Sequence, residues 1–427
     1  MLLEKNNRPL GESSHLETRP SSSMSWLTFY GGFDNAGSLT AQKLHLIYNN
    51  DEILHLGQSL PDEELRSHSE HKEYLNHILL PLFFESHAHM FLKGATLDFQ
   101  QRKSEQNMDP SALIKTAGER AQALLEFGIG KVRDGGDNAL VGLTLSKDRT
   151  LTTTCSVASP GSGVNRQKRY GSFFARNLEE FSSVEEVVDD RIRLGADHLK
   201  VVVTGIIDFE KGEVKGSPQF DVSTLKSLTS EAHRRGLKVM AHASGEDGVR
   251  RAVLGGVDSV EHGFFMSEEI LKAMKERGTL WVPTFTPVQL QVDEADLMGW
   301  SELSRSNLRS ILAHHQKMII RAIELGVGVM PGSDAGSLGV PHGQGFLKEL
   351  ELMEDAGFDA STLLKLSCMS SHRLWFDEDI EWGIGSPSSF QMASKESLSD
   401  ISSLRDGRKV IIQGKMTPQI NENHPLF

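Results

Sequence analysis

Short apolar runs alternate with longer amphipathic stretches from about residue 80 onward. The runs of strand length and composition are 78–89, 128–134, 152–159, 198–205, 237–244, 258–265, 279–286 and 327–336. Between them, apolar positions spaced three and four residues apart predict helices, most clearly over 222–236 and 246–256. Eight repeats of strand then helix predict an α/β fold of the (β/α)8 TIM-barrel type. An open parallel sheet is the alternative that this pattern leaves.

The two ends of the chain have a different pattern. Gly, Ser and Asn interrupt short β-type runs such as LHLIY near the start and KVIIQGK near the end. We therefore expect residues 25–77 and 378–427 to form a small β-sandwich domain beside a barrel of residues 78–377. The polar, Ser-rich residues 1–24 are predicted to be disordered. A chain of 427 residues has room for a barrel of roughly 250 residues and a smaller domain.

Composition narrows the classes of partner. A net charge of −13 argues against nucleic acid, because phosphate binding needs a basic face. Two cysteines, Cys155 and Cys368, make no disulfide framework and favour a reducing compartment. No apolar run near the start is long enough for a signal peptide or a membrane span. The expectation is a cytoplasmic protein that binds neither nucleic acid nor membrane.

Polar residues of metal-binding type recur where the predicted strands end, which is where TIM barrels carry their active sites. They are His87 and His89 on the first strand, Lys200 on the fourth, His242 on the fifth, His262 on the sixth and Asp334 on the eighth. Each alone has an ordinary interpretation, such as polar loop residues or a lysine reaching solvent. Their joint occurrence predicts a metal site, and imidazole with carboxylate favours a divalent ion, Zn²⁺ first.

Together these residues resemble the amidohydrolase superfamily. Within it, AHASGEDGVRRAVLGGVDSVEHGFFMSEE, followed by WVPT and GSDAGSLGVPHGQ, resembles the branch of imidazolonepropionases and metal-dependent Xaa-Pro-type dipeptidases. The resemblance covers residues 78–375. It implies that the four histidines bind metal and that Asp334 is both a ligand and the catalytic base. It also implies that Lys200, as a carboxylysine, bridges two ions. A site of one ion without Lys200 is the alternative.

Three segments depart from the family pattern. The usual Pro-Gly-x-x-Asp before the HxH pair is Pro81-Leu82-Phe83-Phe84-Glu85 here. The usual Asn-Ala-Ala segment after the eighth strand is replaced by SCMSSHRLW over residues 367–375. The usual Ala-Asp-Leu stretch is not visible near residues 385–405. None of these departures removes a predicted ligand.

The implied activity is hydrolysis of a carbon–nitrogen bond in a small amide, either dipeptide-like or cyclic. A metal ion activates water, and Asp334 accepts its proton and returns it to the departing nitrogen. His342, on the loop after Asp334, is expected to act in catalysis by holding a substrate carbonyl or carboxylate. Two alternatives stay open: lactone or phosphoester hydrolysis at the same site, and a barrel that keeps its metal without turnover. The partner is a small-molecule substrate, with a homo-oligomer possible.

Four further positions carry narrower expectations. Arg169 and Tyr170, after the third strand, could bind a substrate carboxylate at the barrel mouth. Glu85 lies two residues before His87 and is expected to accept the N–H of a ligand imidazole. Arg133 and Asp134, at the end of the second strand, are expected to be structural.

Overall fold

The computed structural model of the protein describes residues 24–152 and 155–418. Residues 1–23, which belong to the segment 1–24 predicted to be disordered, lie outside the described residues. The same holds for residues 419–427, the end of the predicted β-domain. Met24 begins the first strand. Two sets of strands organise the described chain, one in the flanks and one in the central part.

The strands are β1 (Met24–Phe33), β2 (Leu39–Thr40), β3 (Leu44–Tyr48), β4 (Ile53–Gly57), β5 (Ser69–Leu80), β6 (Phe83–Ala88), β7 (Ile129–Asp134), β8 (Ser156–Ala158), β9 (Gly163–Asn165), β10 (Ala175–Asn177), β11 (Leu199–Val202), β12 (Ile207–Asp208), β13 (Glu213–Val214), β14 (Val239–Ala243), β15 (Ser259–His262), β16 (Leu280–Val282), β17 (Phe390–Ser394), β18 (Lys409–Ile412) and β19 (Lys415–Met416).

The α-helices are α1 (Glu63–Ser67), α2 (Phe99–Gln106), α3 (Pro110–Glu126), α4 (Val141–Lys147), α5 (Arg149–Thr152), α6 (Val184–Leu194), α7 (Val222–Arg234), α8 (Glu246–Gly255), α9 (Glu268–Arg277), α10 (Phe285–Asp293), α11 (Glu302–Leu325), α12 (Gln344–Asp355), α13 (Ala360–Lys365) and α14 (Ser371–Phe376). A π-helical turn, Leu366–Ser370, joins α13 to α14. Short 3₁₀ turns lie at Leu178–Glu180, Lys395–Leu398 and Ile401–Arg405.

Local sequence explains where the two clearest helices begin and end. Asp221 caps α7, and its carboxylate accepts the N–H of Thr224 at 2.7 Å. Gly256 ends α8 with a left-handed backbone, φ 86°, which glycine adopts without steric cost. Both helices end within two residues of the predicted bounds.

Parallel strands form the central part of the molecule. They lie in two sheets, β6-β7-β8 and β10-β9-β11-β14-β15-β16. Seven of the eight predicted runs contain one of these strands. The eighth run, 327–336, makes only isolated parallel bridges, from Val329 to Trp281 of β16 and from Ala335 to Ala88 of β6. The last predicted strand thus lies between the seventh and the first.

Both flanks join one sheet of order β19-β18-β17-β5-β1-β3-β4, with β2 paired to β1. The link between them is the antiparallel pairing of β17 with β5, in which Ala393 lies opposite Ile78. The apolar face of this sheet buries a small core that includes Phe29, Leu46 and Phe390. Within their described residues the flanks therefore pair as expected, and they do so in a single sheet.

No helix among the described residues is long and apolar enough to cross a membrane. The largest apolar core lies between the central strands and the helices around them. A second, smaller cluster joins strand residues to a C-terminal helix: Phe84, Met240, Leu280, Val282, Met330 and Trp375. This inner cluster lies just before the candidate site residues along the strands.

Candidate metal centre

The structure gathers the predicted ligands at the carboxyl ends of the central strands. His87 lies in β6 and His89 follows it directly, while Asp334 lies in the eighth run beside them. His262 is the last residue of β15. The four side chains are buried, with at most 8% of any residue exposed. Strand order, and not closeness in sequence, therefore brings these groups together.

Two overlapping sets of donor atoms, both including His87 and Asp334, lie close enough together to share an ion. The Asp334 Oδ1 atom lies 3.4 Å from His87 Nε2 and 3.5 Å from His89 Nε2. His87, His262 and Asp334 each offer a donor atom within 4.8 Å of the other two. Neither His87 Nε2 nor Asp334 Oδ1 has a hydrogen-bond partner among the described residues, although both are buried. Because buried polar atoms are normally paired, this set fits a divalent cation.

The electrostatics of the cluster favour neutral imidazoles, which is the form that binds metal. Burial, assisted by the charge of Lys200, lowers the pKa of the His89 imidazole to about 3. Burial also lowers the pKa of His87 and of His262 well below the ordinary value of 6.5. Burial raises the pKa of the Asp334 carboxyl, against the opposing pull of a hydrogen bond from Ser337 and the charge of Lys200.

Lys200 and His242 complete the set of predicted ligands. Lys200 lies near the centre of the cluster, whereas His242 lies beside it. Lys200 is 1% exposed in β11, and burial lowers the pKa of its amine. Its charge acts on all four predicted histidines, so it lies near the centre of the cluster. The His242 ring meets the His262 ring edge-on, with the centroids 4.5 Å apart, and its Nε2 faces the Gly205 carbonyl at 3.4 Å. The structure thus places His242 beside the donor atoms without aiming its Nε2 at them.

Two of the candidate ligand rings have a hydrogen-bond partner on Nδ1. His87 Nδ1 lies 2.7 Å from a carboxylate oxygen of Glu261, and His262 Nδ1 lies 2.8 Å from the Thr284 hydroxyl. A proton on Nδ1 leaves Nε2 with its lone pair free for metal. Sequence reasoning missed both partners. A charged residue inside the apolar run SVEHGFF was the available signal for Glu261.

The expectation for Glu85 is wrong. Its carboxylate accepts the backbone N–H groups of His87 at 3.1 Å and Ser333 at 3.0 Å, and the Ser333 hydroxyl at 2.6 Å. No imidazole of the described residues bonds to it, because Glu261 occupies the position behind His87. Glu85 instead ties the first strand to the eighth.

The other predicted substrate-binding positions are Arg169, Tyr170 and His342, and they differ in whether they line the cavity. Tyr170 lines the cavity, with its ring 5.4 Å from that of His242, whereas the Arg169 guanidinium bonds the Ser217 carbonyl and does not line it. His342 is 1% exposed, does not line the cavity, and its Nε2 lies 3.2 Å from the His89 carbonyl. In this structure His342 therefore contacts the backbone of His89 and does not line the cavity.

Arg133 and Asp134 make only internal contacts, in line with the structural role expected for them. Asp134 accepts the backbone N–H groups of Met90 and Gly136, both at 3.0 Å, and the Ser159 hydroxyl at 2.9 Å. The Arg133 guanidinium bonds the Ser86 carbonyl at 2.6 Å and both oxygens of Glu261. Neither residue lines the cavity.

A cavity of about 950 Å³ opens onto the cluster. His89, Lys200, His242, His262 and Asp334 all line it. Aromatic side chains cover much of the wall, namely Phe99, Tyr170, Phe173, Phe174, Phe209, Phe264 and Trp300. Phe174 is buried with its ring 5.5 Å from that of His89, while Phe99 and Phe173 are exposed. The aromatic surface therefore extends from the predicted ligands to solvent-exposed positions.

Comparison with known proteins gives a consistent result. The model of the amidohydrolase family matches residues 78–373. An uncharacterized protein of Mycobacterium tuberculosis is 30% identical over 213 residues, which are 50% of this chain and 56% of that protein. The ochratoxinase of Aspergillus niger is 32% identical over 154 residues, 35% of this chain and 32% of that enzyme. The chain thus spans about half the length of the first relative and less of the second.

Solved structures show the same fold over nearly the whole chain. The crystal structure of a Xaa-Pro dipeptidase with bound methionine covers 92% of this chain and 100% of its own, with a TM-score of 0.75 and 22% identity. That of Aspergillus niger ochratoxinase covers 93% of this chain and 97% of its own, with a TM-score of 0.72 and 20% identity. These likenesses show a TIM-barrel-like α/β fold.

Proposed function

Because the chain belongs to the amidohydrolase family, we propose that it is a metal-dependent hydrolase that cleaves a carbon–nitrogen bond in a small amide. One observation carries the proposal. His87 Nε2 and Asp334 Oδ1 are buried 3.4 Å apart beside a large cavity, and neither has a hydrogen-bond partner in the described part of the chain. Such an arrangement is costly unless a cation binds between the two groups.

The roles of the residues follow from their atoms. His87, His89, His262 and Asp334 would hold the ion, and His242 would join them if its Nε2 turned from the Gly205 carbonyl. A divalent ion there would lower the pKa of water and polarise the substrate carbonyl. Asp334 takes the proton from the attacking water and passes it to the departing nitrogen. His342 acts indirectly, by fixing the carbonyl of His89.

Zinc is the proposed metal, in one or two ions per chain, because imidazole and carboxylate are its usual ligands. The number of ions in this proposal depends on the chemical state of Lys200. A buried cationic amine beside divalent ions would be repelled by them, whereas a carbamate on Nζ would add a negative charge and two ligand oxygens. The lowered pKa of the Lys200 amine supports this modification, since only the neutral amine reacts with CO₂.

The cavity indicates the kind of amide. Its aromatic wall favours a substrate with a bulky apolar or aromatic group beside the bond that breaks. Hydrolysis of an amide is also what the name of the Xaa-Pro dipeptidase of similar fold states for that protein. Lactones and phosphoesters are tested as alternatives because activated water does not choose the leaving group.

The finer organisation of the chain is also a proposal. We propose a closed (β/α)8 barrel over residues 78–377, supported by the two bridges of the eighth run. Residues 25–77 and 378–418 form the second, β-rich domain of this proposal, supported by the pairing of β17 with β5. The β-sandwich form of that domain stays a prediction. A cytoplasmic location is proposed from the two cysteines, both free and buried.

The test combines metal analysis with a substrate screen. Purified protein is expected to hold about two divalent ions per chain and to hydrolyse members of a library of N-acyl amino acids and dipeptides with apolar side chains. Chelation should abolish turnover, and Zn²⁺ should restore it. His87→Ala should lose metal and activity, whereas His68→Ala, at an exposed histidine outside the site, should keep both. Metal-free parent protein with full amidase activity would contradict the proposal.

Lys200→Ala separates the two forms of the site. If Lys200 bridges two ions as a carbamate, this variant should lose one or both, and short carboxylic acids should partly restore its activity by replacing the carbamate. Two ions retained in Lys200→Ala would end the bridging proposal. Turnover of lactones or phosphoesters alone would replace the amide by one of the alternatives.

A further inference from the structure

Trp375 lies in segment 367–375, one of the three whose sequence departs from the family pattern. It belongs to α14 and is 2% exposed. Its indole packs on Phe84, Met240 and Met330 in the inner apolar cluster. These residues precede His87, His242 and Asp334 by three, two and four positions on their strands. The indole therefore packs against the strand interior on the amino-terminal side of the site.

Arg133 lies over this indole. The Cζ atom of its guanidinium is 4.1 Å from the centre of the Trp375 ring, which is close for a cation–π contact. Its Nε bonds the Ser86 carbonyl at 2.6 Å, and Nη1 bonds the Ser259 hydroxyl at 3.0 Å. Nη2 bonds Glu261, so all three nitrogens of the guanidinium donate hydrogen bonds while its face lies over Trp375.

Arg133 in turn fixes the carboxylate behind His87. Nη2 of Arg133 bonds both oxygens of Glu261, at 2.9 and 2.8 Å, and the Ser259 hydroxyl donates to the first of them. The second oxygen accepts from His87 Nδ1 at 2.7 Å. Arg133, Glu261 and His87 have no exposed surface, so no water competes for these bonds.

We propose that Trp375 is a positioning residue for the metal centre. By supporting Arg133, and through it Glu261, the indole holds the His87 ring with Nε2 directed at Asp334 Oδ1. This inference rests on the proposed function, because it needs His87 to be a metal ligand. The inference also gives segment 367–375 a role, because Trp375 of α14 supports the His87 ligand from the amino-terminal side of the site.

The test measures the affinity of metal-depleted full-length protein for Zn²⁺ and Co²⁺ by competition with a chelating dye. Trp375→Met keeps an apolar side chain but has no π face for the guanidinium. It is expected to weaken metal binding by about 10- to 100-fold, the usual effect of losing an outer partner of a ligand. Trp375→Phe keeps an aromatic face and should restore the affinity to within about threefold of the parent.

A neighbouring residue on the same helix provides the control. Phe376 packs beside the same cluster, but its ring lies under the Lys131 ammonium, at 3.5 Å, and not under Arg133. Phe376→Leu should therefore leave the affinity unchanged. The Co²⁺ absorption spectrum should change in Trp375→Met and stay as in the parent in Phe376→Leu, which a general loss of stability would not produce.

A double variant tests the route itself. If Trp375 acts through Glu261, then Glu261→Gln combined with Trp375→Met should bind metal no more weakly than Glu261→Gln alone. Fully additive losses would overturn the inference. Should Trp375→Met fail to fold, Arg133→Lys keeps the charge but cannot fork to Glu261, and parent-like affinity in that variant would overturn it equally.

The outcomes separate this inference from the proposed function. Parent protein that binds no metal, or His87→Ala with unchanged affinity, would refute His87 as a ligand and the proposed function with it. Tight binding in the parent, loss in His87→Ala and parent-like binding in folded Trp375→Met would refute the role of Trp375 alone.

Discussion

Three residues at the candidate metal centre have a left-handed backbone that side chains rarely adopt. They are His262 at φ 71°, Thr284 at φ 50° and Asp334 at φ 54°. Such conformations cost of order 1–3 kcal/mol each and persist where the surroundings impose them. Thr284 is the most unusual because it is β-branched, and its hydroxyl bonds the His262 ring. We infer that this strain is retained because it aims the two ligands.

Asp334→Asn is the residue change that tests the proposed base. Asparagine keeps the shape and tolerates a left-handed backbone, but it cannot take up a proton. The value of kcat should fall by about 10²–10⁴-fold, the usual contribution of a general base, while KM and most of the bound metal are retained. Steady-state kinetics with metal analysis measures all three quantities.

Ser337→Ala is the matched control for that change. Ser337 donates to Asp334 Oδ2 at 2.7 Å, so its loss removes a hydrogen bond and leaves the carboxylate in place. Its effect on kcat should be much smaller. Near-normal turnover in Asp334→Asn would contradict the mechanism, and complete loss of metal would show that Asp334 is chiefly a ligand.

At the residue scale, the sequence predicts the role of a side chain where that role follows from its position at a strand end. It does not predict a role that depends on contacts with neighbouring strands. His87, His89, Lys200 and Asp334 are found because strand ends are visible as the ends of apolar runs. Glu261 is missed because its partners, His87 and Arg133, lie 174 and 128 residues away. For the same reason Glu85 was assigned the role that Glu261 fills.

At the scale of elements, a hairpin of β12 and β13 borders the cavity. Its tip docks on α11, where the Asn307 side chain donates to the carbonyls of Phe209 and Glu210 at 2.9 and 3.0 Å. The Phe209 ring meets the edge of Trp300 at 5.6 Å, and both rings line the cavity. The hairpin thus joins two aromatic rings into one wall facing the substrate space.

Phe209→Ala should weaken binding of bulky apolar amides. Phe209 is half-buried. Complete burial of an aromatic side chain contributes about 1.5–3 kcal/mol, so loss of a partial contact should raise KM about tenfold. The value of kcat should change little, since Phe209 is not near the donor atoms. Lys211→Ala, at the exposed tip of the same hairpin, is the control. An equal rise in KM for small polar amides would show a general distortion and contradict the specific role.

Sequence periodicity could not predict this hairpin. Its strands have two residues each, too few for an alternation of apolar and polar positions to appear. The short β9, which pairs with β11 through Val164 and Val201, was missed for the same reason. Long amphipathic helices such as α7, by contrast, carry enough turns for their pattern to be read, and their caps fix the ends.

At the scale of the whole molecule, the flanks and the central part are fastened by buried polar contacts. Arg408 donates to the Phe127 carbonyl at 2.8 Å, and the Gln391 amide donates to the Pro81 carbonyl at 2.9 Å. That the flanks pair was predictable from their shared β-type composition. Their sheet order was not, because β5 and β17 are separated by the entire central part and nothing local records the register.

Buried carboxyls should also give the whole molecule a characteristic pH dependence of stability. Glu349, on α12, accepts the backbone N–H groups of Phe285 and Thr286 at 2.9 and 2.8 Å and so caps α10. Burial raises its pKa from the ordinary 4.5 to about 7. Between these values the folded protein holds a proton that the unfolded chain has released. The contribution of Glu349 to stability therefore decreases as pH rises from 4.5 to about 7.

Glu349→Gln removes this titration while keeping an acceptor in place. Relative to the parent, its free energy of unfolding should rise by about 1–3 kcal/mol between pH 5 and pH 7, as measured by urea unfolding at both values. Glu85 and Asp134, whose pKa values burial also raises, are present in both proteins, so their effects cancel in the comparison. Glu351→Gln, on the same helix but paired with Arg405 near the surface, should show no such change. The same difference between Glu349→Gln and the parent at both pH values would mean that Glu349 is ionised throughout. Its three hydrogen bonds, two from backbone N–H groups and one from the Thr286 hydroxyl at 2.7 Å, would then outweigh the cost of burying its charge.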